Sequence, residues 1–345
     1  MHTRPTTSAS GHEVTPTALV LGARGAVGRV VVTELRTLGV DVTTAGRTAP
    51  EPGGCAIDLR TASGFDDLHE VSPRFDVVIN ATGIEDSRIL RAAAGTILVD
   101  ISATAAYLDQ SATEFLRQDP GVVGPHGLVL GVGIAPGLST LLVEALHSTL
   151  GDEIDVAIML GGGEAHGPAA VEWTAGLAGT PIYESGDRHP VMNFRESLHV
   201  DEPGGSRRYL RADFPDHLLV GSPREMHVRS WLATDSQLST SALGLVGRFP
   251  ALRSLVSRAP HLGSTGWSIT AINRRTRQAL RAEGDGQSRT TGVLTAHAAL
   301  AAVNRQLRGT ATTASLMSLA NADGLAGLSI SPPDPSPHSA ATLDA

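Results

Sequence analysis

Three glycines recur at every third position in Leu19-Val20-Leu21-Gly22-Ala23-Arg24-Gly25-Ala26-Val27-Gly28, directly after a short apolar run. This spacing turns a chain sharply out of a strand and starts a helix, leaving backbone N–H groups to face an anion. Gly22 suits the tight turn, Gly25 admits an anion close to the backbone, and Gly28 lets the helix lie against the strand. The chemistry that fits is the grip of a pyrophosphate, with Ala23, Arg24, Ala26 and Val27 completing the turn. The pattern is G-x-x-G-x-x-G, a variant of G-x-G-x-x-G.

A carboxylate at the end of the second strand would hold a ribose 2′-hydroxyl. The sequence has Ala45-Gly46-Arg47-Thr48 there instead. Arg47, with Arg24 on the other side, offers a planar guanidinium to a 2′-phosphate. The cofactor expected is therefore NADP (NADPH), bound by Gly22 to Gly28 together with Arg47 and Thr48. Asp58 either sits near the adenine or caps a turn. The small residues Ala81, Thr82 and Gly83 let the middle of the cofactor pass over the sheet edge.

Hydride transfer needs no covalent nucleophile, so the protein must place the substrate and supply a proton donor. His166 and Glu172 flank a helix start at Gly167-Pro168, and Tyr107 lies just beyond the fifth strand. These three are the catalytic candidates; their plain readings are a loop residue, a helix first-turn acid and a packing aromatic. Arg195, Arg207, Arg208 and Arg229 are available for a substrate carboxylate, and His227 and Trp231 share a strand face with Arg229. His189, His199 and His217 lack metal-ligand spacing, so no metal is expected.

All 27 basic residues are arginine. No Schiff-base lysine, P-loop lysine or Tyr-x-x-x-Lys pair can exist, which removes the short-chain dehydrogenase mechanism. The single cysteine, Cys55, rules out an internal disulfide and is expected to pack. A net charge of −8 argues against nucleic acid or an anionic membrane as partner. No apolar run approaches the ~20 residues of a membrane span. The polar start lacks a signal-like segment, and a cytoplasmic protein is expected.

These residues must be positioned by alternating elements. Strands are predicted at Ala18–Leu21, Val40–Ala45, Ala56–Leu59, Asp76–Ala81, Ile97–Ile101 and Leu128–Val132, with helical patterns between them. That is a doubly wound parallel sheet, an α/β fold of Rossmann type. Beyond it, a strand at Ile154–Leu160, a helix at Pro168–Leu177, a strand at Glu225–Ala233 and an alanine-rich helix at Thr290–Leu307 suggest a second, α+β domain. The organisation expected is a disordered arm over 1–16, a Rossmann domain over 17–136, a substrate and dimerisation domain over 137–330, and a disordered tail over 331–345. The last helix is expected to return toward the first domain.

The Gly22–Gly28 turn, the Arg47 strand end, DVVINATG at Asp76–Gly83, LVDIS at Leu98–Ser102 and GVGIAPGLS at Gly131–Ser139 resemble the saccharopine dehydrogenase/saccharopine reductase-like superfamily. The resemblance covers about the first 150 residues well. It implies a second α+β domain that often mediates homodimers. It also implies pyridine-nucleotide-dependent oxidation of a C–N bond, or reduction of an imine, on an amino-acid-like substrate; the nicotinamide itself is expected near Gly131–Gly137, where glycines let the backbone approach closely. Its lysine-forming branch uses a catalytic lysine, which this chain lacks. Two alternatives stay open: a non-catalytic NADP-binding regulator, and a reductase of an activated C=C bond.

Overall fold

The computed structural model describes residues 15–117, 126–146, 148–164, 168–202, 204–220, 226–253, 263–331 and 342–344. The chain runs β1 (Thr17–Leu21), α1 (Ala26–Thr37), β2 (Asp41–Gly46), β3 (Cys55–Ala56), α2 (Ala62–Val71), β4 (Val77–Asn80), α3 (Arg88–Ala92), β5 (Ile97–Asp100), α4 (Ala105–Arg117), β6 (Gly127–Leu130) and α5 (Ser139–Ala145). Strands β1, β4, β5 and β6 are apolar at almost every position because both faces are covered. Ala18, Val20, Val77, Ile79 and Val99 pack on one side; Leu19, Leu21, Val78, Leu98 and Leu130 pack on the other against Phe65, Leu68, Leu90 and Leu108.

The second half contributes β7 (Glu153–Leu160), α6 (Pro168–Leu177), β8 (Ser197–Glu202), β9 (Gly205–Arg211), α7 (Asp216–Leu219), β10 (His227–Thr234), α8 (Gln237–Arg248), β11 (Gly266–Asn273), β12 (Ala279–Asp285), α9 (Gln287–Asn304), β13 (Gly309–Thr312), β14 (Ser329–Ser331) and β15 (Thr342–Asp344). The first sheet has the order β13-β6-β5-β4-β1-β2-β3 and is parallel throughout. The chain goes outward from β1 to β2 and β3, then returns to β4 on the other flank. The carboxyl ends of β1 and β4 therefore border the crevice where ligands bind in such sheets.

The second sheet is mixed, in the order β14-β12-β11-β7-β10-β9-β8-β15. One face (Val156, Ile158, Leu232, Ile269) joins the same core as the first sheet's α1 side, and the other carries Trp231, Tyr209 and Val200. Four strands separate β12 from β8, about 24 Å in a flat sheet. Yet Arg281 Nη1 lies 3.4 Å from Glu202 Oε1. The sheet is thus coiled around its second face, as twisted strands allow.

The predicted α/β architecture, a doubly wound parallel sheet followed by an α+β domain, is observed, and the second part is built on a mixed sheet. Several boundaries differ. The third strand is Cys55–Ala56 rather than Ala56–Leu59, and Glu225–Ala233 becomes His227–Thr234, with residue 225 outside the described residues. The long helix is Gln287–Asn304 rather than Thr290–Leu307. It does return to the first half, where His297 Nε2 lies 3.1 Å from Glu34 Oε1 of α1. The division at 137–330 is corrected by β13, which continues the first sheet beyond β6. The 331–345 tail is corrected in part: Ser331 ends β14, and Thr342–Asp344 pair with β8. The 1–16 arm lies outside the described residues as far as residue 14. No described helix is long and apolar enough to cross a membrane.

Candidate functional site

The glycine turn is built by close approach. A Cβ on Gly22 would fall 2.4 Å from the Ala81 carbonyl oxygen, and one on Gly28 would fall 2.2 Å from that of Gly22. Gly22 also has φ +76°, where a side chain is strained. The turn is pinned to β2 by Gly22 N and Ala23 N, which donate to the Ala45 carbonyl at 3.0 and 3.3 Å. Gly25 then starts α1, whose N-terminus has no side-chain cap and no acidic residue in its first turn. The first N–H groups of a helix have no intrahelical partner. Here they face the crevice with a partial positive charge.

Arg24 reaches from this turn to the loop after β2. Its Nη1 donates to Thr48 Oγ1 at 2.8 Å, and its Nη2 to the carbonyls of Ala49 and Pro50 at 2.9 and 3.1 Å. Arg24 therefore props the loop that presents Arg47. Arg47 is exposed and makes no hydrogen bond or ion pair among the described residues. Asp58 is engaged elsewhere: Arg60 Nε and Nη2 donate to it at 2.8 and 2.5 Å. Arg60, and at longer range Arg47, hold this carboxyl down at about 2. Asp58 also closes the turn into α2, its carbonyl accepting from Thr61 N at 3.0 Å; this is the turn-capping reading of that residue.

The end of β4 is shaped by Asn80, which is buried. Its Oδ1 accepts from Thr82 Oγ1 at 2.7 Å and Thr82 N at 3.2 Å, and its Nδ2 donates to Asp100 Oδ2 at 3.0 Å. Ala81, Thr82 and Gly83 are thereby held against the glycine turn. Asp100, fully buried, also accepts from Ser102 N and from the Tyr107 hydroxyl, both at 2.9 Å. Burial pushes the Asp100 carboxyl up, and burial plus the Asp100 charge push the Tyr107 phenol up. Tyr107 thus spends its proton on Asp100, a bond that orders the strand ends. Beside them stands Glu85, whose Oε1 accepts from Thr104 N at 3.3 Å.

From the other side, α7 covers the end of β6: Leu219 Cδ1 lies 2.5 Å from where a Gly131 Cβ would be. Asp216, at the start of α7, is fully buried and accepts from Ser139 and Thr140 hydroxyls at 2.6 and 2.8 Å and from Ser230 Oγ at 3.2 Å. It ties α5 to β10 across the two sheets, and its burial raises its carboxyl. The segment 181–192 folds back on itself and reaches the first domain through Tyr183 Oη, which donates to Asp109 Oδ2 of α4 at 2.9 Å. Tyr183 N donates to Asp213 Oδ2 at 3.2 Å, and His217 Nε2 lies 2.8 Å from the Tyr183 carbonyl oxygen. Asp213 Oδ1 is buried without a hydrogen-bond partner, and burial raises this carboxyl.

Among the described residues, no contact joins Glu172 to Tyr107. His166 lies outside the described residues. Glu172 is exposed on α6, beside Trp173, which packs edge-on against Phe214 at 5.1 Å. Tyr107 is committed to Asp100. Among the arginines considered for a carboxylate, Arg207 is paired with Glu202, Arg229 with Glu153 and Asp155, and Arg195 Nε donates to the Gly247 carbonyl. Trp231 Nε1 donates to the same Asp155, so the Arg229 face is filled rather than open. The sequence reading missed Glu85, Tyr183, Asp213 and Asp216. Only Glu85 carried a local signal, a charge three residues after the sheet-edge threonine Thr82. Among the described residues, no three His, Cys, Asp or Glu come together to hold a metal.

No family model matches the sequence, and no curated protein does. Among solved structures, the chain is similar to saccharopine dehydrogenase (L-Glu forming) from Saccharomyces cerevisiae. The likeness has 12% identity over 87% of this chain and 94% of that one, with a TM-score of 0.51. The fold is that of saccharopine dehydrogenase. A mutant meso-dapdh from Clostridium tetani aligns over 89% of this chain and 96% of its own, at 12% identity and a TM-score of 0.45. The resemblance carried by the first 150 residues or so is thus confirmed as a likeness of fold, and the likeness extends through the second half as well.

Proposed function

We propose that this protein is an NADP-dependent oxidoreductase that transfers hydride to or from a C–N centre, imine or amine, of a small amino-acid-derived substrate. The observation that carries the cofactor part is the uncapped N-terminus of α1 beside an unpaired Arg47, with no carboxylate at the end of β2. The residues fit the group: the cradle at Gly22 and Gly28 admits no Cβ, and Arg24 is already spent on shaping the loop. Gly22 to Gly28 hold the diphosphate, Arg47 and Thr48 the 2′-phosphate, and Ala81, Thr82 and Gly83 line the path of the dinucleotide.

When bound, the nicotinamide supplies or accepts the hydride. The chain's own residues bind, orient and exclude water. Leu219 shields the Gly131 edge, and the Tyr183–Asp109 bond closes the second domain over α4. The substrate lies between these two, beside Asp213 and His217. The amino-acid character of the substrate is supported by the fold shared with saccharopine dehydrogenase. The homodimer belongs to the same reading, supported by Leu238, Leu245 and Phe249, which are exposed on and just after α8; sedimentation velocity tests it.

Titration with NADPH and NADH tests the proposal. NADPH is expected to bind at least about tenfold tighter, ~1.4 kcal/mol, and Arg47→Ala to lose that preference. Failure of both nucleotides to bind refutes it. NADPH binding without oxidation across a panel of imines and 2-oxo acids with ammonia would leave a sensor rather than an enzyme.

A further inference from the structure

We infer that Glu85 binds the ribose of the nicotinamide half of the dinucleotide, gripping its two adjacent hydroxyls. The inference rests on the cofactor reading above and deepens it by assigning a residue to the half of the crevice that the glycine turn does not reach.

The placement follows from strand order. The diphosphate site lies at the end of β1, and β4 and β5 follow in that order along the sheet. Neighbouring strands are about 4.8 Å apart. Glu85 accepts from Thr104 N, beyond the end of β5, so its carboxylate stands about two strand spacings from the glycine turn, roughly 10 Å. A phosphate held on the turn, the ribose attached to it and one hydrogen bond to a carboxylate together bridge such a distance. Between the two, Ala81 and Thr82 are half-buried and Gly83 is exposed, and none of them carries more than a short side chain. Thr82 Oγ1 is itself turned back onto Asn80 and donates to its Oδ1.

The chemistry of Glu85 suits a diol. A sugar with two adjacent hydroxyls presents two O–H donors, and a carboxylate presents two acceptor oxygens. The adenosine side of NAD enzymes uses the same pairing, and this protein lacks it at Arg47. Other polar groups nearby are already engaged. Asp100 is bonded by Asn80, Ser102 and Tyr107, and Asn80 by Thr82 and Asp100. Glu85 is not enclosed as they are: its residue is exposed while its carboxylate end leans onto Thr104. Partial burial and the Asp100 charge raise the Glu85 carboxyl, which a hydroxyl donor can offset by bonding to the charged form.

The test compares two probes on the full chain. NADPH carries both halves of the dinucleotide; 2′,5′-ADP carries only the adenosine half with its 2′-phosphate. Glu85→Ala is expected to weaken NADPH about tenfold by calorimetric titration while 2′,5′-ADP stays within about twofold of the wild type. Glu85→Gln, which keeps one acceptor oxygen, is expected to fall between. Unchanged NADPH affinity in Glu85→Ala overturns the assignment. So does an equal loss for both probes, which would mark a collapsed loop rather than a lost contact. If the wild type binds neither probe, the cofactor reading itself fails and this inference with it. If the wild type binds both probes and Glu85→Ala binds NADPH as tightly as the wild type does, the cofactor reading stands and this inference alone falls.

Discussion

Arg47, just beyond β2, is exposed and unpaired among the described residues, whereas Arg229, on the inner face of the coiled sheet, is held between Glu153 and Asp155 at 2.7 and 3.1 Å. The same contrast runs through both sheets. At the carboxyl edge of the parallel sheet, donors are left open: the α1 N-terminus and Arg47. On the inner face of the mixed sheet, charge is consumed internally. Arg207 and Arg281 meet Glu202, and Arg274 lies 3.1 Å from Asp155 Oδ2, though off the line a hydrogen bond requires. Open groups need something from outside, while committed groups hold the fold. Residue type alone does not distinguish the two, since both sets are arginines beside strands.

The largest effect that sharpens this contrast should come from Gly28→Val. A Cβ there lies 2.2 Å from the Gly22 carbonyl oxygen, and backbone cannot step aside as a flexible side chain can. Overpacking of this kind costs about 1–3 kcal/mol. The expected outcome is a lower melting temperature together with loss of measurable NADPH binding. Retained binding would separate the glycine cradle from the cofactor.

On the committed side, Asp216→Ala should cost about 2–3 kcal/mol by chemical denaturation, because Ser139, Thr140 and Ser230 each lose a buried acceptor. NADPH affinity should change far less than stability does. The pH dependence has a definite sign. Burial raises the folded-state carboxyl of Asp216 above its unfolded value of about 3.9. The folded protein therefore binds this proton more tightly, so protonation adds stability as pH falls through the folded pKa toward the unfolded one, and this contribution is absent at higher pH. Asp216→Asn should flatten the stability–pH curve over that acidic window; an unchanged slope refutes the assignment.

Arg47→Ala comes next. One charge-assisted contact to a phosphate is worth about 1.5–3 kcal/mol, so NADPH should weaken about 10- to 100-fold while NADH is nearly unaffected. An equal loss for both nucleotides would move Arg47 from the open class to the structural one. The smallest effect is expected for Tyr183→Phe, which removes a single partly exposed hydrogen bond between the domains, about 0.5–1.5 kcal/mol. It should raise the KM of whatever substrate is turned over more than it lowers the melting temperature. A purely thermal effect would reduce this contact to a brace.

Much of the first half was legible because its demands are local. The glycine spacing, the continuous apolar runs of β1 and β4, and Arg47 in place of a carboxylate all lie within a few residues of the feature they announce. The catalytic side was not legible. His166 and Glu172 are close in sequence, but His166 lies outside the described residues and Glu172 is exposed on α6. Asp213 and Asp216 lie in a stretch with no periodicity, and their partners are 30 and 77 residues away. Tyr107 lies just beyond β5 in the sequence, but nothing in its local surroundings announces that its hydroxyl donates to the buried Asp100 carboxylate.

The sequence by itself determined the parallel sheet, the glycine turn and the absence of lysine chemistry, since backbone geometry and composition need no distant partner. Tertiary structure alone decided that Gly309–Thr312 extends the first sheet, that Asp216 fastens Ser139 to Ser230, and that Arg229 is spent while Arg47 has no hydrogen bond or ion pair among the described residues. Those outcomes depend on which groups meet across long stretches of chain, and whether a charge is paired or open is fixed only when its neighbours arrive.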